Sequence, residues 1–367
     1  MNALTPLRFS ALLILLEIAY TVISIARAPN WGAFLIGDCP YYAATAESLV
    51  HEGDWDLRNQ LPGDLKDHEG FFALSKDHRV VPKHSTLLPI VSIPFYLLMG
   101  KAGFLVFNLV QIFLLIWGIT QLAGNNPAAR LLSLAGYLST PFLAYTFNYS
   151  PDVLGTVLVV WSFVFGMRER PLLCGLLAGL AIWAKIYLAI VLLPLAIIIL
   201  PRGWRPTLRC ALAAVVAVLP MLVINAHLFG SPSITGYDRD ARITPDGFTV
   251  TEHYSRFNQP LLAGLGNLLF DERIGMLRTA PLWFLWPIGA VVACRSRCWP
   301  RSQTVAISLA IVLNLLIFAT YDEWSASAFG NRFLFPALAL GLAVQSPIWE
   351  KILARRKDRV APPLKAV

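Results

Sequence analysis

The chain has 367 residues, of which 56% are hydrophobic and only 14% are charged, and its mean hydropathy is +0.60. Soluble proteins of this size carry about 25% charged residues, so the composition excludes a water-soluble globule. The net charge of +8 indicates membrane topology and not nucleic-acid binding, because many basic residues lie in connectors between apolar runs.

The apolar residues form runs long enough to cross a bilayer as helices. In chain order these runs are residues 9–26, 103–122, 131–147, 152–167, 171–184, 186–200, 208–229, 280–294, 303–320 and 333–348. The first run ends without a small-residue cleavage site, so we expect a transmembrane helix there and not a cleaved signal peptide. Scattered prolines and glycines argue against alternating barrel strands. The sequence therefore predicts an all-α bundle of about ten transmembrane helices, with juxtamembrane helices in the first large loop.

Short basic connectors predict the orientation of the bundle. They contain Arg168 and Arg170, then Arg202, Arg205 and Arg209, then Arg295, Arg297 and Arg301, and finally the tail from Lys351. The positive-inside rule places all of them in the cytoplasm, so the run 172–200 must cross twice and turn at Lys185. The chain is predicted to be one integral membrane domain, residues 1–367, with large extracytoplasmic loops at residues 28–102 and 230–279.

The run from Ser85 to Gly100 leaves the orientation of the first loop open. Pro89 and Pro94 interrupt helical hydrogen bonding in this short run, so we predict a juxtamembrane or re-entrant segment. If the run crosses the membrane instead, the N-terminus lies outside and the first loop becomes cytoplasmic.

The first loop places an acid at the predicted membrane edge. Asp38 precedes Pro40 and an apolar helical pattern, which is typical of the residue that caps a surface helix. Asp38 either only caps that helix or faces a cavity. Later in the loop, Lys83 and His84 stand where lipid headgroups lie, and they either bind a lipid phosphate or, for Lys83, only extend to the interface.

Further polar residues follow at the predicted outer ends of the spans. Asp152 either caps its helix or faces the same cavity as Asp38. Outer cations that suit phosphate oxygens are Arg273, Arg278 and Arg332. These arginines can equally pair with nearby acids, namely Asp271, Glu272, Asp322 and Glu323. The spacing of the five cysteines, including Cys298, is not typical of a disulfide framework or of a zinc site.

Taken together, these segments resemble the GT-C superfamily of polyprenyl-phosphate-dependent glycosyltransferases. The similarity is greatest to the bacterial branch of protein O-mannosyltransferases and aminoarabinose lipid A transferases. The matching segments, in the family's order, are Gly37–Ala43, Glu52–Leu57, Lys83-His84 before Leu88-Pro89, Ser150–Asp152, Phe229–Pro232, Asp271–Gly275 and Phe329–Pro336.

The resemblance implies a membrane glycosyltransferase that takes a sugar from an undecaprenyl-phosphate type of donor and inverts the anomeric centre. Asp38 is then the catalytic base, and the donor phosphate is bound by Lys83, His84, Arg273, Arg278 and Arg332. The expected acceptor or sugar contacts are Tyr41, Asp152, Tyr237, Asp322 and Glu323. The implied acceptor is a protein, a lipid or a glycan on the extracytoplasmic side of a bacterial inner membrane, and membrane lipids are the other partners.

One feature departs from the pattern. Many relatives have a second acid after the first, whereas this chain has Cys39, which weakens a metal-binding version of the site. A divalent metal is compatible with the site, but the sequence requires none. The alternative function is a transporter or flippase of a lipid-linked amphiphile, which predicts charged or broken helices near the bilayer midplane.

Overall fold

The computed structural model describes residues 4–28, 30, 32–244, 247–251, 257–296, 299–325 and 330–360. Three residues that the sequence interpretation uses lie outside these ranges, namely Arg297, Cys298 and Phe329. The first helices are α1 (Pro6–Arg27), α2 (Cys39–His51), α3 (Leu87–Met99), α4 (Lys101–Leu122), α5 (Pro127–Leu138), α6 (Pro151–Met167), α7 (Pro171–Ala184) and α8 (Leu188–Leu192). The remaining helices are α9 (Leu195–Ile199), α10 (Trp204–Phe229), α11 (Leu261–Phe270), α12 (Met276–Thr279), α13 (Trp286–Ser296), α14 (Arg301–Ala319), α15 (Phe335–Val344) and α16 (Ser346–Val360).

Within the described residues, five helical segments have the length and apolar composition needed to cross a membrane. They are Pro6–Arg27, Lys101–Leu122, Trp204–Phe229, Arg301–Ala319 and Arg332–Ala354. Shorter apolar helices are Leu87–Met99, Pro151–Met167, Pro171–Ala184, Leu188–Arg202 and Leu261–Phe270. The chain is therefore a mostly helical protein with several membrane-spanning helices, while the predicted total of ten stays a prediction.

Several predicted spans are interrupted in the structure. The run 131–147 divides into α5 and a 3-10 helix at Ala144–Phe147, with Pro141 in the break. The run 186–200 divides into α8 and α9 around Pro194. Proline lacks the N–H that the helix ladder needs, which accounts for a break at each site. The run 280–294 likewise begins as a 3-10 helix, Pro281–Leu285, before α13.

The turn that the basic connectors predict at Lys185 is confirmed, because α7 ends at Ala184 and Lys185 has extended backbone angles. A buried acid inside a span was not predicted: Glu17 is 3% exposed in the middle of α1. Glu17 packs on the inner face of α1 with Phe9, Leu13 and Thr21, so the bundle shields its carboxyl from lipid.

The two large loops together form a small antiparallel sheet that the all-α prediction omits. Its strands are β1 (Phe72–Leu74), β2 (Val80–Pro82), β3 (Asp240–Thr244) and β4 (Gly247–Thr251), in the order β2-β1-β3-β4. β1 and β2 come from the first loop, and β3 and β4 come from the second. The pairing of Ala73 with Asp240 joins the loops and brings their polar residues to one end of the bundle.

Candidate active site

A cavity of about 500 Å³ lies at the end of the bundle covered by the sheet. It is lined by residues from both large loops and from the ends of three membrane helices, including Asp38, Gly70, Phe71, Lys83, His84, Lys185, Tyr237, Asp240, Glu323 and Arg332. The cavity carries acids and bases on the same wall, which is an arrangement suited to proton transfer beside a bound anion.

Asp38 stands at the cap position of α2, but its side chain makes no capping hydrogen bond. Gly37 has a φ of +60°, a left-handed conformation that glycine adopts without strain and that turns the chain into α2. The Asp38 Oδ2 atom instead accepts a hydrogen bond of 2.9 Å from Arg332 Nη2. The interpretation of Asp38 as only a helix cap is therefore wrong.

Arg332 connects Asp38 with a second, buried acid, Asp152. Its Nε atom lies 3.6 Å from Asp152 Oδ2, and Lys185 Nζ lies 3.7 Å from the other oxygen of Asp152. Asp152 is 2% exposed in the first turn of α6, where the Ser150 hydroxyl accepts the backbone N–H of Asp152 and so provides the cap. Asp152 thus holds two cations beside Asp38 instead of capping its helix.

The segment before α15 is fixed from the bundle core. The Asn314 side chain donates 3.2 Å to the Phe333 carbonyl and accepts 3.1 Å from the Ala337 N–H. Asn314 is fully buried in α14. These bonds hold the short 3-10 turn that carries Arg332, so the guanidinium position is set by the packing of α14 against α15.

Lys83 is buried between the two loops, with 8% of its surface exposed. Its Nζ atom donates 2.8 Å to the Gly70 carbonyl and lies 3.1 Å from Asp240 Oδ2. A Cβ at Gly236 would lie 2.4 Å from the Lys83 carbonyl oxygen, so only glycine lets the second loop approach this closely. The alternative interpretation, in which the Lys83 side chain only extends to the membrane interface, is therefore wrong.

His84 lies between the cations and Asp38. Its Nδ1 atom is 2.8 Å from the Tyr237 hydroxyl, and its Nε2 atom is 3.8 Å from Asp38 Oδ1. The pKa of His84 is lowered to about 3, chiefly by burial; Asp38 opposes this effect, and Lys185, Lys83 and Arg332 add to it. The imidazole is neutral at pH 7, with one nitrogen held by Tyr237 and the other facing Asp38.

The ionisation of Asp38 follows from its neighbours. Burial alone would raise the pKa of this carboxyl, but the basic groups of His84, Arg332 and Lys185 outweigh burial and hold the pKa below its ordinary value. Because His84 is neutral at pH 7, the positive charge that matters there comes from Arg332 and Lys185. Asp38 is an ionised carboxylate at neutral pH.

The structure brings only some of the predicted site residues together. Asp38, Lys83, His84, Tyr237, Glu323 and Arg332 line the cavity, and Asp152 lies directly behind it. Arg273 and Arg278 do not line it, and Arg278 donates to the Glu272 carbonyl instead. Asp322 does not line it either. Tyr41 stacks on Phe71 with 4.8 Å between ring centroids and bonds to His68, so it supports the cavity wall from behind.

Lys185 and Asp240 are cavity residues that the sequence interpretation did not assign. Lys185 could have been identified from the sequence, because it is the only charged residue in the run 172–200. Asp240 could not, since nothing in the sequence indicates that it meets Lys83 from a distant loop. Cys39, which replaces the second acid of the related motif, is buried and donates 3.0 Å to Asn148 Oδ1.

The residues that the structure describes contain no group of three or more His, Cys, Asp or Glu side chains placed to bind a metal ion. Two acids of the site, Asp38 and Asp152, are bridged by Arg332.

The fold is that of two solved membrane proteins. The chain matches ArnT from Cupriavidus metallidurans bound to undecaprenyl phosphate with a TM-score of 0.62 at 14% identity, covering 95% of this chain and 61% of ArnT. It matches the archaeal oligosaccharyltransferase AglB from Archaeoglobus fulgidus, in complex with an inhibitory peptide and a dolichol-phosphate, with a TM-score of 0.55 at 13% identity. That match covers 98% of this chain and 52% of AglB. The chain thus spans less than two thirds of either protein.

These matches and the geometry define the class: a mostly helical bundle with several apolar helices and a charged cavity at one end. The model of glycosyltransferase family 87 matches residues 86–321, well over half of the chain. The chain belongs to glycosyltransferase family 87. No curated protein sequence matches it.

Proposed function

We propose that the protein transfers a sugar from a polyprenyl-phosphate donor of the undecaprenyl type to an acceptor hydroxyl, with Asp38 as the general base. The observation that carries this proposal is the ion pair of 2.9 Å between Asp38 and Arg332 in the cavity. A carboxylate free of any capping role, beside a cluster of cations, can accept a proton while the cations stabilise a departing phosphate. ArnT and AglB, which share the fold, were solved with undecaprenyl phosphate and dolichol-phosphate.

The proposed reaction is a single displacement at the anomeric carbon. The acceptor oxygen forms the new glycosidic bond as the bond between the anomeric carbon and the phosphate oxygen breaks. Asp38 takes the hydroxyl proton, and polyprenyl phosphate leaves with the bonding electron pair. Attack from the face opposite the phosphate inverts the anomeric centre, and Lys83 is the proposed ligand of the departing phosphate.

Arg332 links donor binding to the strength of the base. In this structure its guanidinium bonds to Asp38, which makes the carboxylate a weaker base. A donor phosphate in the cavity competes for the guanidinium, because an arginine fork binds phosphate oxygens well. Loss of the bond to Arg332 then raises the proton affinity of Asp38 when the substrate is present.

The proposed location is a bacterial inner membrane, with the cavity on the extracytoplasmic side. The basic connectors at Arg168–Arg170 and Arg202–Arg209 support this orientation, since the helices between them and the cavity lead to the opposite end of the bundle. The acceptor is a protein, a lipid or a glycan with a hydroxyl group. A flippase is less well supported, because the charged residues of the cavity lie at helix ends and not along a path through the bundle.

The test is transfer of radiolabelled sugar from a polyprenyl-phosphate donor by purified protein in a membrane extract that supplies acceptor. We expect Asp38→Asn to lower kcat by about 100-fold or more, because general base catalysis contributes about 10²–10⁴-fold. Asp67→Asn is the matched control, since Asp67 is an exposed acid of the same loop outside the cavity. Equal transfer by the Asp38→Asn variant and the wild type contradicts the role of Asp38. Movement of intact donor across vesicles without transfer supports the flippase.

A further inference from the structure

A second cavity lies between α13 and α14, away from the proposed active site. Its volume is about 510 Å³, and its walls come entirely from these two helices. Aliphatic side chains form its length, including Val291, Val305, Leu309 and Val312. All four are exposed on the bundle surface, so the groove opens sideways towards the lipid.

The groove is remote from the charged cavity. Thr304 lines the groove in the first turn of α14, whereas Tyr321, just beyond the last turn, lines the charged cavity. Thr304 and Tyr321 are 17 positions apart, which corresponds to roughly 25 Å at the helical rise of about 1.5 Å per residue. The groove is therefore at the other end of the bundle, and a ligand there cannot take part in the sugar transfer.

One end of the groove is polar. Arg295 lies in the last turn of α13 and lines the groove, and no acid among the described residues forms an ion pair with it. Thr304 also lines the groove, and its buried hydroxyl has no hydrogen-bond partner among the described residues. An anionic group at this end of the groove is favoured, because a charge-assisted hydrogen bond to Arg295 is stronger than a neutral one.

We propose that the groove binds an anionic glycerophospholipid, with the headgroup phosphate at Arg295 and one acyl chain along Val305, Leu309 and Val312. The charge of Arg295 complements the phosphate and the negative headgroup. The aliphatic wall from Thr304 to Val312 extends roughly 12 Å along α14 at about 1.5 Å per residue, which accommodates part of an acyl chain. The basic connector between α13 and α14 belongs to the predicted cytoplasmic side, whose leaflet is rich in anionic lipid.

The test measures lipid binding to the purified full-length protein by native mass spectrometry, with titrations of phosphatidylglycerol and phosphatidylcholine of the same acyl chains. We expect phosphatidylglycerol to bind at least ten times more tightly than phosphatidylcholine. Arg295→Gln should remove this preference, and Arg295→Lys should keep most of it. Arg170→Gln is the matched control, because Arg170 is an exposed arginine of another connector and should leave the preference unchanged.

A second variant tests the acyl-chain wall independently. Ser308 lines the groove between Val305 and Leu309, so Ser308→Leu fills it and should weaken binding of both lipids at least tenfold. Equal affinity of the wild type for both lipids, or an unchanged preference in Arg295→Gln, overturns the proposal. Tighter binding of polyprenyl phosphate than of phosphatidylglycerol, lost in Ser308→Leu, also overturns it. Sugar transfer by Arg295→Gln verifies that this variant is folded, because the groove is remote from the charged cavity. This assay does not depend on the lipid-binding results.

Discussion

Lys185 illustrates how a single charge becomes tolerable inside an apolar sequence. It follows the last residue of α7, where the chain turns back, and its Nζ atom lies 3.7 Å from Asp152. Ion pairing with a buried acid offsets much of the cost of burying the ammonium group. The same contact contributes positive charge to the wall that faces Asp38.

Substitution of Lys185 should change the pH dependence of the proposed transfer. Asp38 acts as a base only when ionised, so activity is lost as the pH falls through its pKa. Lys185 helps to lower that pKa, and Lys185→Met should therefore raise it and move the acidic limb of kcat/KM to higher pH. The measurement is kcat/KM for sugar transfer against pH.

Lys101→Met is the matched control for this prediction. Lys101 is an exposed lysine paired with Glu47 at the start of α4, so its removal should leave the acidic limb in place. An acidic limb at the same pH in Lys185→Met and the wild type would show that Lys185 does not act on the base.

The candidate site was predictable from the sequence only in part. The sequence shows that Asp38, Lys83 and Arg332 are charged residues near the ends of apolar runs. It does not show which residues they contact, because Asp38 and its partner Arg332 are 294 residues apart in the chain. Arg273 was predicted on the same grounds as Arg332, yet the fold places only Arg332 in the cavity.

At the scale of elements, proline positions explain most of the differences between predicted and observed helices. Apolar composition identifies the runs, but it does not show that Pro141 and Pro194 divide them. The four short strands carry no periodic signal in loops of this length. They form because the two loops meet at Ala73 and Asp240, which is a contact between segments far apart in sequence.

The orientation of α14 provides a direct test of the predicted topology. A chain without native cysteines would carry one new cysteine, either Arg301→Cys at the start of α14 or Asp322→Cys after its end. Both positions are exposed. In intact spheroplasts, a membrane-impermeant maleimide should label Asp322→Cys and leave Arg301→Cys unlabelled until the cells are lysed.

The opposite pattern would place the charged cavity on the cytoplasmic side. Labelling of both variants before lysis would instead mean that the reagent crosses the membrane, so a cytoplasmic protein with an exposed cysteine is included as a control for intact cells.

At the scale of the whole molecule, the fold keeps two chemically different regions apart. The charged cavity lies where both large loops meet the ends of α7 and α14, and the apolar groove lies at the start of α14. The overall class, a membrane helical bundle, follows from composition and run length alone. The division of the bundle into a reactive end and a lipid-facing groove depends on helix packing, which the sequence pattern does not specify.

The most direct test of the proposed function is an experimental structure of the protein in a lipid nanodisc with polyprenyl phosphate. We expect phosphate density in the charged cavity, with oxygen atoms within about 3.2 Å of Lys83 Nζ and the Arg332 guanidinium. Arg332 should then be displaced from Asp38. Phosphate bound outside this cavity, with the bond between Asp38 and Arg332 intact, would contradict the proposal.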